Sequence, residues 1–192
     1  MSPRTEAQLE KIRIDRKVSI MDAALHVFAE EGYHSSSISR ISKKAGVSKG
    51  LMYNYFDSKD ELLKELLDTV FDSFLDAMGV VAGEVITDEL LASHINKSFE
   101  AIEKDRAHWK LYFSMVTQPK VMEMAMVHMM PKIESYMSSL IVYFTKKGHD
   151  NPMVTARYFT STLDGVQMQC LFDPDNFPTE DVKKLIIKQF IS

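Results

Sequence analysis

The sequence predicts an all-α protein: an N-terminal three-helix helix-turn-helix domain joined by a long helix to a C-terminal helical domain. Three observations give the helical class, and the spacing of Ile38 to Tyr55, with the likeness it carries, gives the division into two domains. Glycine (7) and proline (6) are scarce in the 192 residues, so few breakers are available for the turns of a β protein. Apolar residues recur at three- and four-residue steps over most of the chain, and no alternating strand pattern occurs. Ser or Thr stands where several of these stretches begin, as helix N-caps require.

The elements follow in order. A first helix is expected over about Gln8 to Glu30, with Val18, Met21, Ala24, Leu25 and Phe28 on one face. Thr5-Glu6-Ala7-Gln8 has capping-box spacing and allows a start as early as Thr5; Gly32 ends the helix. Ser37 caps a short helix, about Ile38 to Lys44. Gly46 turns the chain, and Ser48 caps a second short helix, about Lys49 to Tyr55. Ser58-Lys59-Asp60-Glu61 opens a long helix through about Met78, with a wide apolar face that includes Leu62, Leu66, Val70 and Phe74. Gly79 and Gly83 end it. Further helices are expected from Thr87 to about Lys104, from about Asp105 to Thr117, and from Lys120 to Lys147, where Pro131 must kink or split the run. Pro152 opens a helix to about Leu171, and Thr179 caps a last one to about Ile191.

Residues 1–64 carry 11 Lys/Arg against 9 Asp/Glu, a balance of +2, and residues 65–192 a balance of −6. The domain boundary is therefore placed in the long helix, with residues 1–64 as the head and 65–192 as the body. Hydrophobic residues make up 45% and charged residues 26%, an ordinary globular composition. No apolar run approaches the roughly 18 residues of a membrane span. The first residues carry no apolar leader and Cys170 is the lone cysteine, so no membrane partner is expected and the cytoplasm is the expected compartment. His94, His108, His128 and His149 lack metal-ligand spacing, and no Gly-rich phosphate loop, nucleophile elbow or HExxH occurs. No catalytic residue, metal or cofactor is expected.

The informative unit is Ile38 to Tyr55. Ile41 and Met52 meet across two short helices and Gly46 makes the corner, which is helix-turn-helix spacing. The second helix is left protruding. Its outward face holds Lys49, Gly50, Tyr53 and Asn54, small, polar or hydrogen-bonding residues suited to a major groove about 12 Å wide.

Ala23-Ala24, Phe28, Gly32-Tyr33, Ile38, Ile41-Ser42, Ala45 to Gly50, Tyr53, Tyr55-Phe56, Ser58-Lys59 and Leu62-Leu63 together resemble the N-terminal domain of the TetR family of transcriptional regulators. Ser42 stands where that family usually has Ala. The resemblance covers residues 18–64 and implies an all-α homodimer that binds a DNA operator and responds to a small molecule, as a repressor. It implies that Ser37 reaches a phosphate and that Ser39 contacts a base or the backbone. By the same likeness Ser48, Lys49, Gly50 and Leu51 approach base edges, while Tyr53, Tyr55 and Lys59 meet phosphates. Arg4, Lys11, Arg13, Arg16 and Lys17 could track the DNA backbone, but acidic neighbours favour a solvated face.

In the body, Met115, Met122, Met124, Met126, Met129, Met130 and Met137 cluster around Pro131, beside a stripe of Trp109, Tyr112, Phe113 and Val116. Methionine adapts to varied apolar ligands. The expected lining of an apolar or amphipathic ligand pocket is Phe74, Met78, Trp109, Tyr112, Phe113, Met126, Met130 and Met137; ordinary core packing explains the same residues. Phe159, Leu163, Val166 and Cys170, with Val182, Leu185, Ile186 and Gln189, form stripes that the resemblance assigns to dimer pairing. The alternative function is an all-α small-molecule carrier or enzyme with its site in the Met-rich body.

Overall fold

The computed structural model describes residues 5–81 and 83–191, so Arg4 lies outside the described residues. These form helices alone: α1 (Glu6–Glu31), α2 (Ile38–Lys44), α3 (Lys49–Met52), α4 (Lys59–Met78), α5 (Asp88–Lys104), α6 (Arg106–Val116), α7 (Pro119–Lys146), α8 (Pro152–Phe172) and α9 (Thr179–Ile191). Apart from Thr179, the hydroxyl caps read from the sequence are present. Thr5 and Gln8 exchange both bonds of a capping box, and Ser37, Ser48 and Thr87 each accept a backbone N–H three residues on.

Three elements differ from expectation. First, α3 ends at Met52, because Asn54 and Tyr55 donate to Leu51 and Met52 three residues back and tighten the chain into a turn. Second, α7 runs unbroken through Pro131, so of the expected kink or split the split does not occur. Pro131 and Val127 are both exposed, so the Val127 carbonyl that loses its partner is on the side where water reaches it. Third, Thr179 is the first residue of α9 and not its cap; its hydroxyl donates to the Phe177 carbonyl at 3.4 Å.

The chain forms two compact units that are not sequential halves. The first takes in the described residues up to Thr69 together with Leu111–His128; the second takes in Val70–Lys110 and the residues from Met129 onward. In the first unit α1 packs on α2 and α2 on α3. Its core includes Ile20, Leu25, Phe28, Ile41, Met52, Phe56, Leu62, Leu63 and Leu67, all essentially fully buried, with Met115 and Val121 from the later segment buried as well. The first turns of α1, from Glu6 to Ser19, are exposed apart from half-buried Lys17.

In the second unit α5 packs on α8 and α9, and α8 on α9. Phe144, Phe159 and Phe190 meet edge to face with ring centroids 5.1–6.3 Å apart, inside a core that also holds Leu91, Ile95, Phe99 and Leu140. Phe159, Leu163, Cys170 and Ile186 belong to this core, so those members of the expected dimer stripes are spent within the chain. Leu185 of the expected stripes stays exposed, and the other large apolar side chains that α8 and α9 expose are Met153, Val154, Tyr158 and Phe172.

Candidate nucleic-acid interface and cavity

The helix-turn-helix is built by local chemistry. The Ser37 hydroxyl accepts from the Arg40 amide at 3.2 Å and starts α2; Ser48 accepts from the Leu51 amide at 3.1 Å and starts α3. Gly46 has φ +65°, a conformation that costs an L side chain about 1–2 kcal/mol. Nothing lies within 4 Å of where its Cβ would stand, so the requirement is backbone geometry and not space. Ser42 is buried and donates to the Ser39 carbonyl at 3.0 Å.

Ionic contacts fix α2 on α1. Arg40 Nε donates to Glu31 at 2.7 Å and Lys44 Nζ to Glu30 at 3.1 Å; His26 also meets Glu30, at 3.0 Å. Hydrogen bonds from His26 and then Lys44 hold the Glu30 carboxyl below the usual carboxylate range. The exposed residues are Ser37, Ser39, Ser48, Lys49, Gly50, Tyr53 and Asn54, while Leu51 and Tyr55 are half-buried. The side chains of Lys49, Tyr53 and Asn54 make no hydrogen bond or ion pair among the described residues and stay available.

Lys59 is placed differently from its neighbours. Its ammonium donates to the carbonyls of Tyr33 (2.7 Å) and Ser36 (3.0 Å) and lies 4.3 Å from the Tyr33 ring centroid. It pins the α1–α2 loop to the start of α4. Tyr33, in turn, donates its hydroxyl to Asp60; burial first, and then that carboxylate, push the phenol's pKa up, so it stays protonated. Lys17 is also engaged, with Glu65 and over the Phe56 ring, whereas Lys11, Arg13 and Arg16 are exposed.

The eight residues expected to line a pocket divide between the units: Tyr112, Phe113 and Met126 in the first, Phe74, Met78, Trp109, Met130 and Met137 in the second. Trp109 packs edge to face on Phe74 with centroids 5.0 Å apart and donates its indole N–H to the Ala101 carbonyl at 3.1 Å. Met78 and Tyr112 are buried, and burial pushes the Tyr112 phenol up to about 12. Met137 packs on the second unit's core, and Met126 is half exposed to solvent.

A cleft of about 390 Å³ lies elsewhere in the second unit, lined by Asp72, Leu75, Asp76, Val80, Val81, Lys132, Ser135, Tyr136 and Ser139. Lys132 donates to Asp72 at 2.6 Å along its wall. Tyr136 reaches inward to Nδ1 of the buried His94 at 3.5 Å. Desolvation lowers the His94 pKa and raises that of Tyr136, so both stay neutral. The sequence signal for this cleft was a pair of helical stripes, Asp72-Leu75-Asp76 and Lys132-Ser135-Tyr136-Ser139. Both are largely polar, and a search for apolar faces passes over them.

Among the described residues no helix is long and apolar enough to cross a membrane, and no three His, Cys, Asp or Glu side chains gather as metal ligands would. Residues 20–66 match the family model described as bacterial regulatory proteins, tetR family. The fatty acid metabolism regulator protein of Bacillus subtilis (strain 168) is 39% identical over 89 residues, which is 46% of either chain. Over such matches the chain spans about half the length of its curated relatives. Two solved structures share the fold over nearly the whole chain. One is the fatty acid degradation regulator FadR of Bacillus halodurans, with TM-score 0.67, 25% identity, and 92% of this chain and 95% of that one covered. The other is FadR of Bacillus subtilis in complex with stearoyl-CoA, with TM-score 0.70, 24% identity, and 91% and 97% covered.

Proposed function

Because this chain belongs to the tetR family of bacterial regulatory proteins, we propose that it is a DNA-binding regulator that grips a two-fold operator as a homodimer and changes its grip when a small molecule binds. The observation that carries this is α3 and the turn that follows it. Ser48 caps the helix, and beyond the cap Lys49, Tyr53 and Asn54 stand exposed with no protein partner, which a helix buried in a hairpin has no cause to keep. Lys49 and Asn54 have the chemistry of base-edge contacts, while Ser37, Ser39, Tyr53 and Tyr55 have that of phosphate contacts. Lys59 positions the loop beneath them.

A symmetric operator needs a symmetric dimer. The face for it is the outward side of α8 and α9, where Val154, Tyr158 and Phe172 share one helical stripe beside Leu185. Gly165 lies on the same stripe with nothing within 4 Å of where its Cβ would be, which lets a second helix approach closely. The effector is apolar or amphipathic. The names of the relatives make a long-chain acyl thioester the first compound to try, and the cleft beside Tyr136 the first place to look for its polar end.

The test is fluorescence anisotropy on labelled duplex DNA across a salt series, with and without stearoyl-CoA and a panel of lipophilic compounds. Affinity that falls steeply with salt supports the reading. Absence of DNA binding at any salt, with a compound bound all the same, points instead to a carrier.

A further inference from the structure

We propose that Gln118 is the positioning residue that couples the α6–α7 corner to the helix-turn-helix, because its side chain supplies the C-terminal cap that α1 lacks. The inference rests on the DNA-binding reading above.

The last four carbonyls of a helix have no partner within it and must find one elsewhere. Gly32 takes φ +84° and ψ 145° after α1 and makes no local capping bond there. The partner comes from 90 residues downstream: Gln118 Nε2 donates to the Phe28 carbonyl at 2.7 Å. The other end of the same amide, Oε1, accepts the Tyr33 backbone N–H at 2.7 Å. Ser114 adds a longer bond, 3.4 Å, to the Ala29 carbonyl. One planar amide therefore ties the last turn of α1 to the start of the α1–α2 loop.

Tyr33 passes that constraint on. Its carbonyl takes the Lys59 ammonium and the Ser36 hydroxyl, and Lys59 also holds the Ser36 carbonyl, next to the Ser37 cap that aims α2. From Gln118 to the start of the helix-turn-helix there is an unbroken chain of short polar contacts. The corner that carries Gln118 belongs to the first unit, yet α6 and α7 each continue as helix into the residues of the second, at Lys110 and Met129. A change in either helix arrives at Gln118 through helical backbone. Allosteric coupling requires such an element, biased from both sides.

The experiment is hydrogen–deuterium exchange on the full chain, free and bound to duplex DNA, for wild type, Gln118→Ala and Gln118→Met, with melting temperatures measured alongside. The readout is exchange in residues 106–110 and 129–140, outside the unit that carries the helix-turn-helix. DNA should slow wild-type exchange there by about fivefold or more, the lower end of ordinary coupling. Both variants should still bind DNA and should show no DNA-dependent change in those segments. Gln118→Met keeps the stem length and apolar packing, so it separates the lost amide from a lost fold. Variants that respond like wild type, or a wild type with no response while DNA is bound, would overturn the inference. So would variants that exchange faster with and without DNA alike but keep the same DNA-dependent ratio, since Gln118 would then be a structural cap only. A wild type that binds no duplex at all overturns the DNA-binding reading itself, and the inference with it.

Discussion

Lys59→Met is the sharpest test of how the head is held together. The substitution keeps the stem that packs beside Tyr33 and removes the ammonium. The Tyr33 carbonyl retains the Ser36 hydroxyl at 2.5 Å, but the Ser36 carbonyl loses the Lys59 bond, in a residue only 6% exposed. Stranding a buried acceptor costs about 1–3 kcal/mol. The lost contact with the Tyr33 ring adds about 0.5–1 kcal/mol at a half-buried site. Release of a partly desolvated charge offsets some of this, so the expected net loss is about 2 kcal/mol. For a chain of this size that is about 4–8 °C of melting temperature, read by calorimetry. The same protein is then titrated with duplex DNA across salt. A lysine seated on a phosphate contributes about 0.9 to the slope of log K against log salt, and Lys59→Met should lose much less than that. A melting temperature unchanged within a degree, with the full slope lost, would refute the loop-pinning role and return Lys59 to the DNA.

Lys49→Ala should leave stability within about 0.5 kcal/mol, since the side chain is exposed. It should relax base preference at one operator position by about 1–3 kcal/mol, measured by competition between singly altered duplexes. Tyr158→Asp and Leu185→Glu should give monomers in analytical ultracentrifugation with helical content intact, because both side chains lie outside the core; dimers of unchanged affinity would place the interface elsewhere. Trp109→Ala should destabilise by about 3–5 kcal/mol in denaturant titration, since the indole is nine-tenths buried against Phe74 and hydrogen-bonded; a loss under about 1 kcal/mol would contradict its role as core. The folded-state pKa of His94 lies below its unfolded value, so the unfolded chain binds the extra proton. Stability should be full above the ordinary histidine pKa of about 6.5 and fall as pH drops below it, and His94→Gln should flatten that fall.

The head was legible in the sequence because its signals are local. A capping hydroxyl, an amide three residues on and a glycine at a positive-φ corner each act within a few residues, and Thr5, Ser37, Gly46 and Ser48 do what their positions imply. What could not be read was whatever depends on distant partners. Gln118 looks like an ordinary residue before a proline, and only the fold brings it to Phe28 and Tyr33. Lys59 has the look of a phosphate ligand, yet two carbonyls of the α1–α2 loop hold it. The methionine and aromatic stripes were correctly seen as helix faces, but periodicity does not distinguish a face that lines a cavity from one that fills a core. Trp109 and Met78 are buried, and the cleft mixes Leu75, Val80 and Val81 with polar residues that carry no apolar periodicity. The exposed face of α8 escaped notice for a related reason. Its inward stripe of Phe159, Leu163 and Cys170 is the stronger apolar signal, and the outward one is diluted by Ser161, Gly165 and Gln169.

The central claim is that two copies of the α2–α3 pair read one symmetric site on DNA. It is tested most directly by selecting duplexes from a random library with the purified chain and sequencing those retained. The account predicts a two-fold symmetric consensus whose recovery collapses as salt is raised, and whose half-sites are read differently by Lys49→Ala. A single non-palindromic half-site, or no enrichment over the starting library, would contradict it.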